Sequence, residues 1–120
     1  AENAASSAGA GGLMQLMPSV AEKMGTPLGY SVQTYPTIFL GQRGKMKFYE
    51  LDSRDTRNDP EFCMDVAASL LKHLCKKYHN NVEYVMRAYN WGEGNLDKYL
   101  ATGKGMKGQD MPDETVKYTV

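Results

Sequence analysis

The sequence predicts a mainly α (α+β) domain carrying one small β-hairpin, on three observations. Phe62, Cys63, Val66, Leu70, Leu71, Leu74 and Tyr78 recur at three- and four-residue steps, one apolar stripe about five turns long. Asparagine, glycine and proline then divide the C-terminal part into shorter helical pieces. Two β-prone runs, Thr37-Ile38-Phe39-Leu40 and Lys45-Met46-Lys47-Phe48-Tyr49, flank Gly41-Gln42-Arg43-Gly44 inside an otherwise irregular stretch, which is a hairpin signal.

Each element follows in order. Ala1 to Gly12 has no periodicity and reads as loop, and Leu13 to Met17 reads as a short apolar turn of helix. Pro18 suits the first position of a helix that continues to Met24, with Gly25 as its stop. Residues 26–56 are broken by Pro27, Gly29, Pro36, Gly41 and Gly44 and hold the hairpin; Asp52 to Asp59 is polar and reads as exposed loop. Asp59 is a good N-cap and Pro60 a good first residue for the long helix. Asn80-Asn81 breaks it and caps the next helix, Val82 to Trp91, with Val85, Met86 and Tyr89 inward. Gly92-Glu93-Gly94 stops that helix and leaves Glu93 exposed. Asn95 to Ala101 forms another, closed by Gly103. Lys104 to Asp110 reads as flexible loop, and Pro112 starts a last helix.

Composition narrows the function classes. With 120 residues the chain holds one domain with a modest core. Fourteen Lys and Arg against fourteen Asp and Glu remove the electrostatic footprint of a nucleic-acid binder. No apolar run approaches the roughly 20 residues that span a bilayer, and Ala1 to Gly12 lacks the basic start and apolar stretch of a signal peptide. Cys63 and Cys75 lie on one helix, roughly 18 Å apart at about 1.5 Å per residue. They cannot bridge each other there, since a disulfide needs Cα atoms within about 7 Å, which suggests a reducing compartment of synthesis. Cys75 and His79 could share a helix face, but no second cluster supplies further metal ligands; both cysteines read as core, and His73 and His79 as surface. The Gly/Ala/Ser opening and the abrupt end at Tyr118-Thr119-Val120 look like cuts in a longer polypeptide.

Three separated segments carry the chemistry: Ser6-Ser7-Ala8-Gly9-Ala10-Gly11-Gly12-Leu13-Met14-Gln15-Leu16-Met17-Pro18, then Arg87-Ala88-Tyr89-Asn90-Trp91-Gly92-Glu93-Gly94, then Met111-Pro112-Asp113-Glu114-Thr115-Val116-Lys117-Tyr118. Glycines at 9, 11 and 12 let backbone approach a ligand closely. Gln15 offers a donor and an acceptor to a sugar hydroxyl or acetamide. Tyr89 and Asn90 stand at a helix tip. Glu114 lies in a helix's first turn, where the dipole favours a carboxylate, and Tyr118 shares its face one turn later. Leu13, Met14 and Leu16 read as core. Trp91, the single tryptophan, is a candidate for stacking on sugar.

These segments resemble the signatures of the soluble lytic transglycosylase family, lysozyme-like enzymes that cleave peptidoglycan: S-x-x-G-A-x-G-L-M-Q-x-M-P, A-Y-N-x-G-x-G and P-x-E-T-x-x-Y, in that order. Leu51 to Leu74 resembles the family's intervening segment, so the resemblance covers nearly the whole chain. It implies a single lysozyme-like domain over 1–120, N-terminally incomplete and part of a larger polypeptide. It implies cleavage of the β-1,4 bond between N-acetylmuramic acid and N-acetylglucosamine by one glutamate, with a 1,6-anhydromuramyl product. Ser6, Gln15, Met17, Tyr89, Asn90, Glu114 and Tyr118 would bind the glycan, with Met17 on the groove floor. No metal or organic cofactor is implied.

The family's glutamate opens the pattern E-S-x-F-x-P-x-A-x-S. Its last Ser matches Ser6 and its Ala matches Ala4, while Glu2 falls on the Pro. The general acid is therefore expected just before Ala1, together with the helix that carries it, and this piece alone is expected to be inactive. Two rival readings use the same residues: a hydrolase like goose-type lysozyme, and a non-catalytic glycan-binding or structural domain of an assembly. The partners implied are peptidoglycan glycan strands, with other virion or envelope-complex proteins at the Tyr-rich insertion from Tyr30 to Tyr49, and no nucleic acid. The place of action implied is the cell wall (periplasm), reached from a phage virion or, alternatively, by bacterial export.

Overall fold

A computed structural model of the chain describes residues 4–5 and 16–117. The elements run β1 (Ala4–Ala5), α1 (Pro18–Gly25), β2 (Ile38–Arg43), β3 (Met46–Glu50), α2 (Pro60–Lys77), α3 (Val82–Trp91), α4 (Glu93–Thr102) and α5 (Asp113–Val116). Short 3-10 turns at Thr26–Leu28 and Thr56–Asn58 complete them. The chain divides into two units, Ala1–Ser69 and Leu70–Val120, with the boundary inside α2.

The first unit is built on α1 and the N-terminal half of α2. Leu16, Ala21, Phe62, Cys63 and Val66 are buried together, and Val20, Met24, Tyr30 and Val32 pack on them. Pro18 does start α1, its fixed φ suiting the first turn. Leu16 and Met17 are not helical, against the expected turn of helix there: Leu16 is in a β-bridge and Met17 is extended at φ −71°, ψ 150°. The residue before a proline is driven out of the α region by the ring, which accounts for Met17.

α1 ends at Gly25, as expected, but not through a left-handed glycine: Gly25 keeps helical dihedrals and a 3-10 turn follows until Gly29 at φ 94°. Gly25 also serves packing: a Cβ there would stand 2.6 Å from Phe62 Cε1. Tyr30 closes the same cluster, edge-on to Phe62 at 4.9 Å between ring centroids, with its hydroxyl donating to Asp65.

The hairpin is present, antiparallel, in a sheet of order β1-β3-β2. Its turn is tighter than the flanking glycines suggest. Gln42 and Arg43 belong to β2, Arg43 pairs with Met46, and only Gly44-Lys45 forms the loop. Gly44 at φ 60° supplies the left-handed backbone of a two-residue connection. A bulge between Phe39 and Gly41 leaves Leu40 as the extra residue.

Asp52 to Asp59 is the largest correction in this unit. Expected as exposed loop, it buries a bidentate ion pair: Arg57 Nε and Nη2 donate to Asp55 at 2.9 and 2.8 Å, and both side chains are wholly inaccessible. Arg57 Nη1 donates to the Leu16 carbonyl at 2.8 Å. The Arg57 and Tyr35 backbone N–H groups donate to the Asp55 carboxylate. Burial alone pushes that carboxyl up. The hydrogen bonds from Arg57 and from the two backbone groups, with the Arg57 charge, outweigh it and hold the carboxyl below its ordinary value.

In the second unit Leu74, Val85, Ala88 and Leu96 form the buried centre. Asp59 accepts from Glu61 N at the start of α2. His79 and Asn80, both at positive φ, end its turn, and Asn81 caps α3 by accepting from Tyr84 N. Cys63 is buried and Cys75 half-buried, and among the described residues they form no disulfide. Gly92, at φ 98°, is at once the end of α3 and the start of α4. The stop is thus one residue long, and Glu93 and Gly94 are helical. Glu93 is half-buried, contrary to expectation, because His73 and Lys77 bind its carboxylate at 2.8 and 3.4 Å. Lys104 to Asp110 is organised: Asn95 Oδ1 accepts from Met106 N and Gln109 Nε2, and Gly105 N donates to Gln109 O.

Candidate functional site

The tip of α3 and the first turn of α5 meet in the second unit. Thr115, fully buried, donates from its hydroxyl to Asn90 Oδ1. One turn back along α3, Arg87 is paired with Glu83 at 3.0 Å and reaches the Val116 carbonyl at 3.4 Å. The α5 turn is itself tied down by Thr115 N and Val116 N donating to Pro112 O. Pro112 has no N–H to satisfy, and its fixed φ suits the start of a helix. Glu114 and Asn90 are exposed beside this buried Thr115 anchor, and Tyr89 is half-buried against the Leu74–Leu96 core. The Asn90–Thr115 hydrogen bond therefore joins the two segments that carry the expected binding residues Tyr89, Asn90 and Glu114.

Met17 stands in the first unit, 38% exposed, directly before α1, with its carbonyl accepting from Ala21 N. Its backbone follows the Leu16 carbonyl, which the buried Arg57 holds. Ser6, Gln15 and Tyr118 lie outside the described residues.

Trp91 has a packing role. Its ring is edge-on to Tyr99 at 6.0 Å, and a Cβ on Gly105 would come within 2.7 Å of its Cζ2. The indole is half-buried by the loop 104–110. Thr115 is the residue whose part the sequence reading missed; it lies inside the third motif, and its signal was a small hydroxyl beside Glu114.

Charge pairs brace this unit. Lys77 Nζ and the Tyr78 hydroxyl both donate to Asp97 at 2.7 Å. Burial, then the hydrogen bond to Asp97, raises the Tyr78 hydroxyl well above its ordinary value. Lys77 is raised, chiefly by its hydrogen bond to Asp97. Among the described residues no group of three or more His, Cys, Asp or Glu could hold a metal ion. The arrangement at Asn90 and Glu114 offers amide and carboxylate groups of the kind that bind sugar hydroxyls.

The comparisons agree with the motifs. A family model described as "Transglycosylase SLT domain" matches residues 1–111. The structure is similar to the crystal structure of the 70 kDa soluble lytic transglycosylase SLT70 from Escherichia coli, with a TM-score of 0.57 and 26% sequence identity. That match covers 83% of this chain and 13% of SLT70, so the chain spans a small part of that relative. The fold is mainly α and lysozyme-like, and the chain belongs to the transglycosylase SLT domain family.

Proposed function

We propose that this domain is a peptidoglycan lytic transglycosylase that cleaves the β-1,4 bond between N-acetylmuramic acid and N-acetylglucosamine and leaves a 1,6-anhydromuramyl end. What supports the reading most is the family match over residues 1–111, with the Asn90–Thr115 hydrogen bond joining two of the three motifs. On the family resemblance the general acid of this reaction is one Glu.

The chemistry needs one carboxyl group. The Glu gives its proton to the glycosidic oxygen as the bond from the muramyl anomeric carbon to that oxygen breaks. The muramyl 6-hydroxyl oxygen attacks the same carbon and returns its proton to the carboxylate. No water is consumed, in contrast to two-carboxylate glycosidases. The acid needs an apolar setting that raises its pKa toward the working pH. In this reading Ser6, Gln15, Met17, Tyr89, Asn90, Glu114 and Tyr118 are the residues that bind the glycan. Delivery to the wall in a phage virion or by an envelope machine agrees with two cysteines that form no disulfide among the described residues.

Digestion of purified sacculi by the full-length protein tests this. Muropeptides whose muramyl ends resist borohydride reduction are expected. Reducible ends would assign the chain to hydrolysis, and no cleavage would leave a binding role.

A further inference from the structure

The hairpin presents apolar and cationic side chains together, and nothing in the proposed glycan chemistry uses them. Met46, Phe48 and Glu50 alternate onto one face of β3, with Arg43, Gly41 and Ile38 as their cross-strand partners. Leu40, the bulge residue, lines a depression of about 450 Å³ with Phe48, Gly41, Gln42 and Arg43. On this small face Ile38 is 41% exposed, Leu40 57%, Met46 66% and Phe48 44%. Phe39 adds a further exposed ring, packed edge-on to Tyr49 at 5.5 Å. A hairpin with this much uncovered apolar surface marks an interaction site.

Charge identifies the partner. Arg43, Lys45 and Lys47 are exposed around the Gly44-Lys45 turn, and none forms an ion pair among the described residues. The hairpin's one carboxylate, Glu50, is half-buried at the opposite end and already engaged. Arg43 on the Met46–Phe48 face and Lys45 in the turn, with Lys47 on the other face of β3 opposite Gln42, join these apolar side chains to match the two components of a lipid interface, anionic headgroups and acyl chains. A soluble polyanion would use the cations and leave the apolar side chains in water. Among the described residues no helix is long and apolar enough to cross a membrane.

We propose that the β2–β3 hairpin docks the domain on an anionic lipid bilayer surface, with Lys45 and Lys47 at the headgroups and Leu40, Met46 and Phe48 entering the interface. The docking does not depend on the glycan reading and is measured without glycan.

Co-sedimentation of the full-length protein with phosphatidylcholine vesicles, with and without phosphatidylglycerol, tests it. Binding is expected only with phosphatidylglycerol, and weaker at high salt. Lys45→Ala with Lys47→Ala should lower partitioning about 30-fold, since each cation near an anionic surface is worth about five-fold. Leu40→Ser with Phe48→Ser should also release the protein. Both double variants should keep the parent's behaviour on sacculi. In a Met46→Trp variant the new indole should be quenched by brominated lipid, which decides the matter if a double variant fails to fold. Binding unchanged by both double variants, or an indole at position 46 that brominated lipid leaves unquenched, overturns the proposal. So does a hairpin-dependent affinity for dextran sulfate, or hairpin-dependent self-association, without vesicle binding.

Discussion

Replacing Asp55 by Ala should destabilise the domain far more than its place in a polar loop suggests. Arg57 has no accessible surface, and two of its guanidinium nitrogens donate to Asp55 at 2.9 and 2.8 Å. The variant leaves a buried guanidinium that keeps the Leu16 carbonyl and loses its carboxylate. It also removes the acceptor for the backbone N–H groups of Arg57 and Tyr35. Breaking a buried pair by removing one partner costs about 3–5 kcal/mol, against a total stability of about 5–15 kcal/mol for a domain. At roughly 4 °C per kcal/mol for a chain of this size, Tm should fall by about 10–20 °C. Urea denaturation followed by circular dichroism reads the change directly. Asp52→Ala is the internal control: its partner Arg54 is two-thirds exposed, so its Tm should stay near that of the parent. The pH dependence has a fixed sign. Asp55 is held below its ordinary value of 3.8, so its contribution is full above that value and is lost as pH falls through the lower folded one. The excess stability of the parent over Asp55→Ala should therefore shrink only in acid. A cost below about 1 kcal/mol, or one equal to that of Asp52→Ala, would refute the claim that this pair is a buried brace.

Other perturbations separate packing from recognition. Gly25→Ala puts a methyl 2.6 Å from Phe62 Cε1 and should cost about 1–3 kcal/mol in urea unfolding, although alanine is the better helix former. Thr115→Val keeps the shape, deprives Asn90 of its donor, and should lower stability by about 1 kcal/mol while weakening sacculus cleavage. Glu114→Gln should leave Tm unchanged and slow cleavage by the full-length protein about ten- to hundred-fold, as expected for the loss of a charged hydrogen-bonding group at the glycan. Cys75 should react with a thiol reagent in the native state and Cys63 only after unfolding, because Cys63 is buried with Sγ donating to the Arg57 carbonyl.

The helices were legible because their signals are local. The Phe62–Tyr78 stripe, the Asp59-Pro60 start and the Asn81 cap each act within a turn or two, and the structure reproduces α2 and α3 with those limits. The hairpin was legible for the same reason, down to Gly44. What escaped depends on distant partners. Asp55 and Arg57 look like solvated charges until Leu16, forty-one residues away from Arg57, is placed beside them. Gly25 looks like a helix stop and nothing more until Phe62 fills the space its missing Cβ leaves. In the candidate site, Tyr89, Asn90 and Glu114 were visible as motif residues. The Thr115 hydroxyl that joins their two segments was not, because a threonine after a glutamate has no periodicity to single it out.

The reading of this chain as a transglycosylase domain is tested most directly by digesting purified sacculi with the full-length protein in water labelled with heavy oxygen. Intramolecular attack by the muramyl 6-hydroxyl takes no oxygen from solvent, so the released muropeptides should carry no label and weigh one water less than hydrolysis products. One labelled oxygen at each new muramyl end would contradict the account and make the domain a hydrolase.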